Sequence, residues 1–378
     1  MTEYRFIEPL DVLYLRGNKL FGDGGAHGAA LMPPWPSLAA GALRSRLLTD
    51  HGVDLAAFAA GTAVLDPALA ACLGTPSHPG SFRITALTLA QRKNDQIEPC
   101  FPLPADVVIQ GQGEQQRRHY LHPRQLSARL AGSYPLPEWP TLTTDQPAKP
   151  ESGYWLNRAG LAAYLGGEPL RADHLVKTSV LWQLDPRLGI ALDSHRRTAA
   201  DSRIYTAETV ALCRDVGFLA GVQGADGLLP QDGLLRLGGD GRAARFEVAR
   251  VPWPEPDWRR IAQERRFRLI LATPGLFTGG WRLPGLNDNH EWCWGGGTAQ
   301  LVSACVSRAE VVSGWDLANW RPKPALRIAP VGSVYGFRDF TGDLAALQEG
   351  LLPGLIEDLE PMRRAEGFNN VLIAAWPR

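Results

Sequence analysis

The sharpest change of pattern along the 378-residue chain lies between Arg187 and Leu212. Leu188 to Leu192 is a short apolar run that predicts a strand, and Ile204 to Leu212 resumes β-compatible residues. A polar excursion from Asp193 to Arg203 separates them, about ten residues where ordinary hairpins use about 2–5. A helix running from Ser202 as cap through Ala207 and Ala211 is the alternative for the second run.

Elsewhere the pattern alternates between strand and helix periods. Tyr4 to Leu15 predicts a β segment broken by Pro9, followed by a glycine-rich loop from Arg16 to Leu31. Ser37 is the expected N-cap of an amphipathic helix through about Leu48. Strands are predicted at Phe82–Gln91, Val176–Trp182, Val216–Val222, Arg266–Ala272, Leu301–Val312 and Val371–Trp376, and either side of a glycine turn within Leu326–Phe337. Leu228–Leu237 and Leu344–Leu359 read as helices. Glu98 to Glu151, dense in Pro, Gln and Arg, keeps neither period and reads as an irregular insertion. The proline-rich Val251–Trp258 is the best linker in the chain. These elements fit an α+β chain of two fused ferredoxin-like (RRM-like) domains with long insertions. The N-terminal domain would span 1–250, with its insertion at about 98–151 and a protruding hairpin at 187–212, and the C-terminal one 259–378.

Charge narrows the partners. Basic and acidic side chains balance at 39 each, so no global field draws the chain to nucleic acid or anionic membrane, and any basic surface is local. Only five of the basic residues are lysine, a bias that favours bidentate phosphate contacts but also accompanies the Ala, Gly and Pro richness of a G+C-rich genome. The five cysteines are scattered without C-x-x-C spacing, the N-terminus lacks a signal-peptide pattern, and no apolar run approaches the ~20 residues of a membrane helix. A cytoplasmic protein with reduced thiols and no cofactor is the expectation.

Candidate chemistry concentrates in the loops. His195, Arg196, Arg197 and Arg203 are donors, Thr198 is a small hydrogen-bonder, and Tyr205 offers an aromatic face, groups that grip phosphates and stack on bases. A solvated surface hairpin is the plain reading of the same residues. Lys19 and His27 sit in the first glycine loop, and the helix that follows would put its free N-terminal amides beside Arg44, an anion site. Gly238–Arg242, including Gly239 and Arg242, and Gly332–Ser333 are turns that let a backbone pass close to a ligand. His119 and His122 lie three apart without acidic or thiol companions, too few ligands for a metal site.

The segments Ile7–Leu13 and Pro33–Leu43 resemble the start of the RAMP proteins of CRISPR systems. Gly189–Asp193, Arg197–Ala199, Ile204–Thr206, Leu237–Arg242, Pro330–Tyr335 and Gly367–Val371 together are similar to the third subunit of type III-B (Cmr) RNA-guided effector complexes. That resemblance implies two RAMP domains and a non-catalytic subunit in antiviral defence. It would hold the 5′ tag of the CRISPR RNA and bridge to the large polymerase-like Cas subunit and other RAMP subunits. Arg197 and Thr198 would contact RNA or a neighbouring subunit, and the two glycine turns would be the signature loops. Two other functions stay open. One is a metal-independent RNA-processing endoribonuclease using His27 or His195 as base; the other is a scaffold touching only proteins.

Overall fold

The computed structural model describes residues 2–17, 27–127, 129–130, 132–193, 198–316, 321–355 and 361–378. The chain packs as two units. The first comprises Met1–Ile97, Thr178–Arg250 and Val311–Leu326, and the second Glu98–Lys177, Val251–Glu310 and Arg327–Arg378. The second unit thus holds the 98–151 segment, which the sequence pattern assigns to the N-terminal domain. The architecture is α+β with antiparallel main sheets.

In the first unit, strand Glu3–Pro9 lies between Val216–Gln223 and Ala243–Ala249, with Arg83–Lys93 beyond the former and Asp232–Arg236 beyond the latter. Val216 to Val222 is buried throughout, as a run without polar alternation requires of a central strand. Arg5, 1 % exposed, is held there by the carbonyls of Pro230 (3.1 Å) and Leu229 (3.2 Å) and by Glu3 (2.9 Å), so the buried charge is fully met.

Helix Ser37–Asp50 buries Ala39, Leu43 and Leu47, one face at four-residue spacing. Ser37 is not its cap. Pro36 occupies that position, already in helical φ/ψ, and no side chain caps the turn; proline has no N–H to satisfy there. Leu228–Leu237 is not helical either. Asp232–Arg236 is a strand, because pairing with Ala243–Ala249 and burial of Leu235 outweigh local propensity.

The stretch around Arg187 is a long two-stranded ribbon, Trp182–Asp193 against Thr198–Leu212. The ladder runs from Trp182↔Leu212 to Ile190↔Ile204, shifts register, and resumes at Leu192↔Ala199 and Asp193↔Thr198. Most of the expected polar loop is therefore strand, with a bulge inside it, and the Ser202-capped helix does not form. His27–Gly28 adds a short parallel pairing to Thr206 and Ala207.

The second unit centres on a five-stranded antiparallel sheet. Its order is Glu291–Trp294, Gly297–Cys305, Val334–Thr341, Phe267–Leu271, Val371–Ala374. Phe267, Trp292, Phe337 and Phe340 form an aromatic cluster in its core. The strand expected over Leu301–Val312 ends at Cys305, and Glu310–Val312 is a separate short strand. The helix expected over Leu344–Leu359 is Leu344–Leu351, ahead of Pro353 and Gly354; positions 356–360 lie outside the described residues.

Glu98–Glu151 is not an irregular insertion. It builds two small hairpins, Val107–Gln110 with Arg117–Tyr120 and His122–Arg124 with Trp139–Thr141. Their strands span three or four residues, too short to display a period. Helix Arg158–Gly166 follows, capped by the Asn157 side chain and closed by Gly167 at φ 72°. No helix among the described residues is long and apolar enough to cross a membrane.

Candidate nucleic-acid interface

The ribbon has two unlike faces. Leu184, Leu188 and Ile190 point to one side by strand alternation and are 46 %, 71 % and 51 % exposed. On the other side Arg187 pairs with Asp185 at 2.9 Å, and Tyr205 stands directly opposite Gly189. The phenol ring occupies the space where any Cβ at position 189 would project, so Gly189 is what lets the ring lie flat across the ladder. The base is fixed by reciprocal 2.9 Å bonds between the Leu13 and Val210 backbones and by the Thr209 hydroxyl, which donates to the Asp185 carbonyl at 2.8 Å. The site is thus an anchored ribbon with an apolar stripe on one face and a tyrosine on the other.

The residues singled out from the sequence fall into three groups. Lys19, His195, Arg196 and Arg197 lie outside the described residues, and at His27 and Arg203 only the backbone is described. Thr198 is exposed at the start of the second ribbon strand, and His27 pairs beside Tyr205, at Thr206. The ribbon therefore gathers Thr198, Tyr205 and the backbones of His27 and Arg203.

The remainder have internal roles. Arg44 donates to the Leu73 carbonyl at 3.1 Å, satisfying the end of helix Pro67–Leu73 instead of flanking an anion. Arg242 is ion-paired with Asp11, and its guanidinium stands 5.2 Å from the Tyr14 ring centre. The Gly239 amide donates to the Tyr14 carbonyl at 2.9 Å, and Gly238, at φ 78°, leaves no room there for a Cβ. The 238–242 turn is therefore stitched onto Asp11–Tyr14, although Arg242 keeps 26 % of its side chain in solvent. In the second unit the Gly332 carbonyl accepts from Ala105 at 2.9 Å. Ser333, 1 % exposed, gives its hydroxyl to the Pro330 carbonyl at 2.7 Å. Burial closes Ser333 to any RNA.

No motif marks the apolar stripe, although the alternation Leu184, Pro186, Leu188, Ile190 is written in the sequence. His119 and His122, joined only by spacing in the sequence, line one cavity together with Arg118 and Arg124. No group of three or more metal-ligating side chains occurs among the described residues.

The family model described as CRISPR-associated protein (Cas_Cmr3) matches residues 5–376. The chain belongs to that family. The resemblance to the third Cmr subunit therefore holds. Among solved structures, a chain of the type III-B Cmr-beta complex bound to cognate target RNA and AMPPnP, determined by cryo-EM, is similar in fold. Its TM-score is 0.50 at 16 % identity, covering 88 % of this chain and 86 % of that one. A chain of the same type of complex bound to cognate target RNA alone gives a TM-score of 0.49 at 16 % identity, with the same coverage. No curated protein is similar enough to match.

Proposed function

We propose that this Cmr3-family chain is a non-catalytic RNA-binding subunit of a type III-B effector complex. It holds the 5′ tag of the CRISPR RNA and bridges to the large polymerase-like subunit. The ribbon 182–212 carries this reading. A two-stranded element with Leu184, Leu188 and Ile190 exposed on one face calls for a partner, and Thr198 and Tyr205 supply polar and stacking contacts for a single strand. The cryo-EM relative, a chain of a complex bound to target RNA, agrees with that partner class.

Each unit is a variant ferredoxin-like domain in this reading. Taking the four strands that would correspond to a βαββαβ pattern, the first sheet reads Ala243–Ala249, Glu3–Pro9, Val216–Gln223, Arg83–Lys93. The second reads Val371–Ala374, Phe267–Leu271, Val334–Thr341, Gly297–Cys305. Both are the antiparallel order 4-1-3-2 of a split βαβ pair.

The apolar stripe also favours a second reading, a scaffold that meets only protein. Photocrosslinking of guide RNA inside the co-purified complex, mapped to residues, separates the two. RNA adducts within 198–205 support the clasp; protein adducts alone along Leu184–Ile190 support the scaffold. Incubation of the purified chain with repeat RNA in chelator should leave the RNA intact. Site-specific cuts that vanish in His27→Ala or His195→Ala would overturn the non-catalytic assignment.

A further inference from the structure

The two hairpins of the 98–151 segment and the loop after helix Arg158–Gly166 enclose a cavity of about 360 Å³ within the second unit. That volume falls at the lower end of the ~300–1,000 Å³ typical of small-ligand sites. One part of its wall carries the guanidinium groups of Arg118 and Arg124 beside the imidazoles of His119 and His122; another is apolar, with Leu142 and Leu170. These two arginines and two histidines are gathered because strands Arg117–Tyr120 and His122–Arg124 are separated only by Leu121.

The charge there is unbalanced. Arg378 also reaches the cavity, but Glu168 pairs with it at 3.0 Å. Asp106, the other nearby carboxylate, is taken up by Arg268. Arg118 has only a 3.4 Å contact to the Gln116 amide oxygen, and among the described residues no carboxylate pairs with Arg118 or Arg124. His119 adds a buried Nε2 with no hydrogen-bond partner among the described residues. His122 is held below the ordinary imidazole range by burial first, then by Arg124 and Arg268, so at neutral pH it is an uncharged hydrogen-bonding group.

We propose that this cavity binds a phosphate monoester carried on a nucleotide. Two unpaired guanidinium groups match a dianion, since a phosphate monoester bears about −1.5 to −2 charge at pH 7 and three acceptor oxygens, whereas a carboxylate would leave one cation unmet. Leu142 and Leu170 supply an apolar wall for the nucleoside. The source is either a free nucleotide or the terminal phosphate of an oligonucleotide, and the chemistry is common to both. The inference does not rest on the ribbon 182–212 clasping RNA, so ribbon variants leave it standing.

The test uses the full-length protein in phosphate-free buffer at low salt, with calorimetric titration of 5′-AMP, adenosine, and a tetraribonucleotide with and without a 5′ phosphate. The expected result is that 5′-AMP or the phosphorylated tetranucleotide binds about tenfold or more tighter than its unphosphorylated twin, a preference lost in Arg118→Ala and Arg124→Ala. Binding of 5′-AMP assigns a free nucleotide, and binding of the phosphorylated tetranucleotide alone assigns an RNA end. Arg124→Lys, on an exposed residue, covers the case in which Arg118→Ala fails to fold: it keeps the charge, loses the fork, and should weaken binding several-fold. Absence of binding by every phosphorylated probe, equal binding of phosphorylated and unphosphorylated probes, or affinities unchanged in Arg124→Ala and Arg124→Lys would overturn the proposal.

Discussion

Arg268 and Asp106 form an ion pair of 2.5 Å with each side chain 4 % exposed. The Nε and the other terminal nitrogen of the guanidinium donate to the carbonyls of Ala375 (3.0 and 2.9 Å) and Tyr164 (2.9 Å), while the Tyr164 hydroxyl donates to Asp106 at 2.8 Å. The Tyr120 and Tyr164 rings lie 5.2 and 4.2 Å from the guanidinium. Asp106→Ala leaves a cation buried without its partner and should cost about 3–5 kcal/mol. Replacing both members with apolar residues, Asp106→Leu with Arg268→Met, should cost less than the single change. Urea unfolding of the three proteins checks this; a single variant within ~1 kcal/mol of wild type would refute the role given to the pair.

Tyr205 and Gly189 make a second testable pairing. A side chain at 189 must displace the phenol ring, so Gly189→Val should loosen the ribbon while leaving the sheet of the first unit folded. Adding Tyr205→Ala to Gly189→Val should return part of the loss, with a coupling of order 0.2–1 kcal/mol. Amide hydrogen exchange in 182–193 and 205–212 reads the effect. Strictly additive changes would show that ring and glycine do not share one space.

Elements with long uniform patterns were legible in the sequence. Val216–Val222, the helix from Ser37 and the strand at 267–271 each declare themselves by burial on one face or on both. The 98–151 hairpins were not legible, because strands of three or four residues broken by Pro123 and Pro140 are too short to carry a period. Leu228–Leu237 misled because its apolar residues suit either period and only pairing with Ala243–Ala249 decides. Within the candidate site, the residue types were visible but their partners were not. Nothing near Arg242 in sequence announces Asp11, 231 positions away, and nothing near Arg44 announces the Leu73 carbonyl. A loop arginine reads the same whether its anion is a phosphate or the protein's own carboxylate.

His122 sets a pH dependence. Its folded pKa lies below the unfolded value because of burial first and then Arg124 and Arg268, with Asp106 opposing. The unfolded chain therefore gains a proton near pH ~6.5 that the folded chain resists. Its contribution to stability is full above that pH and is lost as pH falls from ~6.5 toward the folded value. His174 is shifted the same way, by burial and Arg171, so the loss is shared. Urea midpoints taken at pH 7.5 and 5.5 in non-phosphate buffer should fall less for His122→Gln than for wild type. An equal fall would show that His122 titrates alike in both states.

The ribbon's two faces predict separable effects on RNA binding. Arg196 and Arg197 lie outside the described residues, between Asp193 and Thr198 in sequence; as phosphate contacts each should contribute ~0.7 to the salt slope for single-stranded RNA. Arg196→Ala with Arg197→Ala should therefore weaken binding mainly at low salt and flatten the slope. Tyr205→Ala, removing a stacking face, should cost roughly 1–3 kcal/mol at every salt concentration with the slope unchanged. Leu188→Asp, on the apolar face, should leave affinity for free RNA intact and, if that face is the proposed protein contact, reduce assembly with the neighbouring subunits by placing a charge in it. Affinities for tag-bearing RNA across a salt series, with circular dichroism for the fold and co-purification for assembly, read all three. If the double arginine variant keeps both affinity and slope while Leu188→Asp abolishes assembly, the ribbon is a protein contact on both faces and the RNA clasp lies elsewhere in the chain.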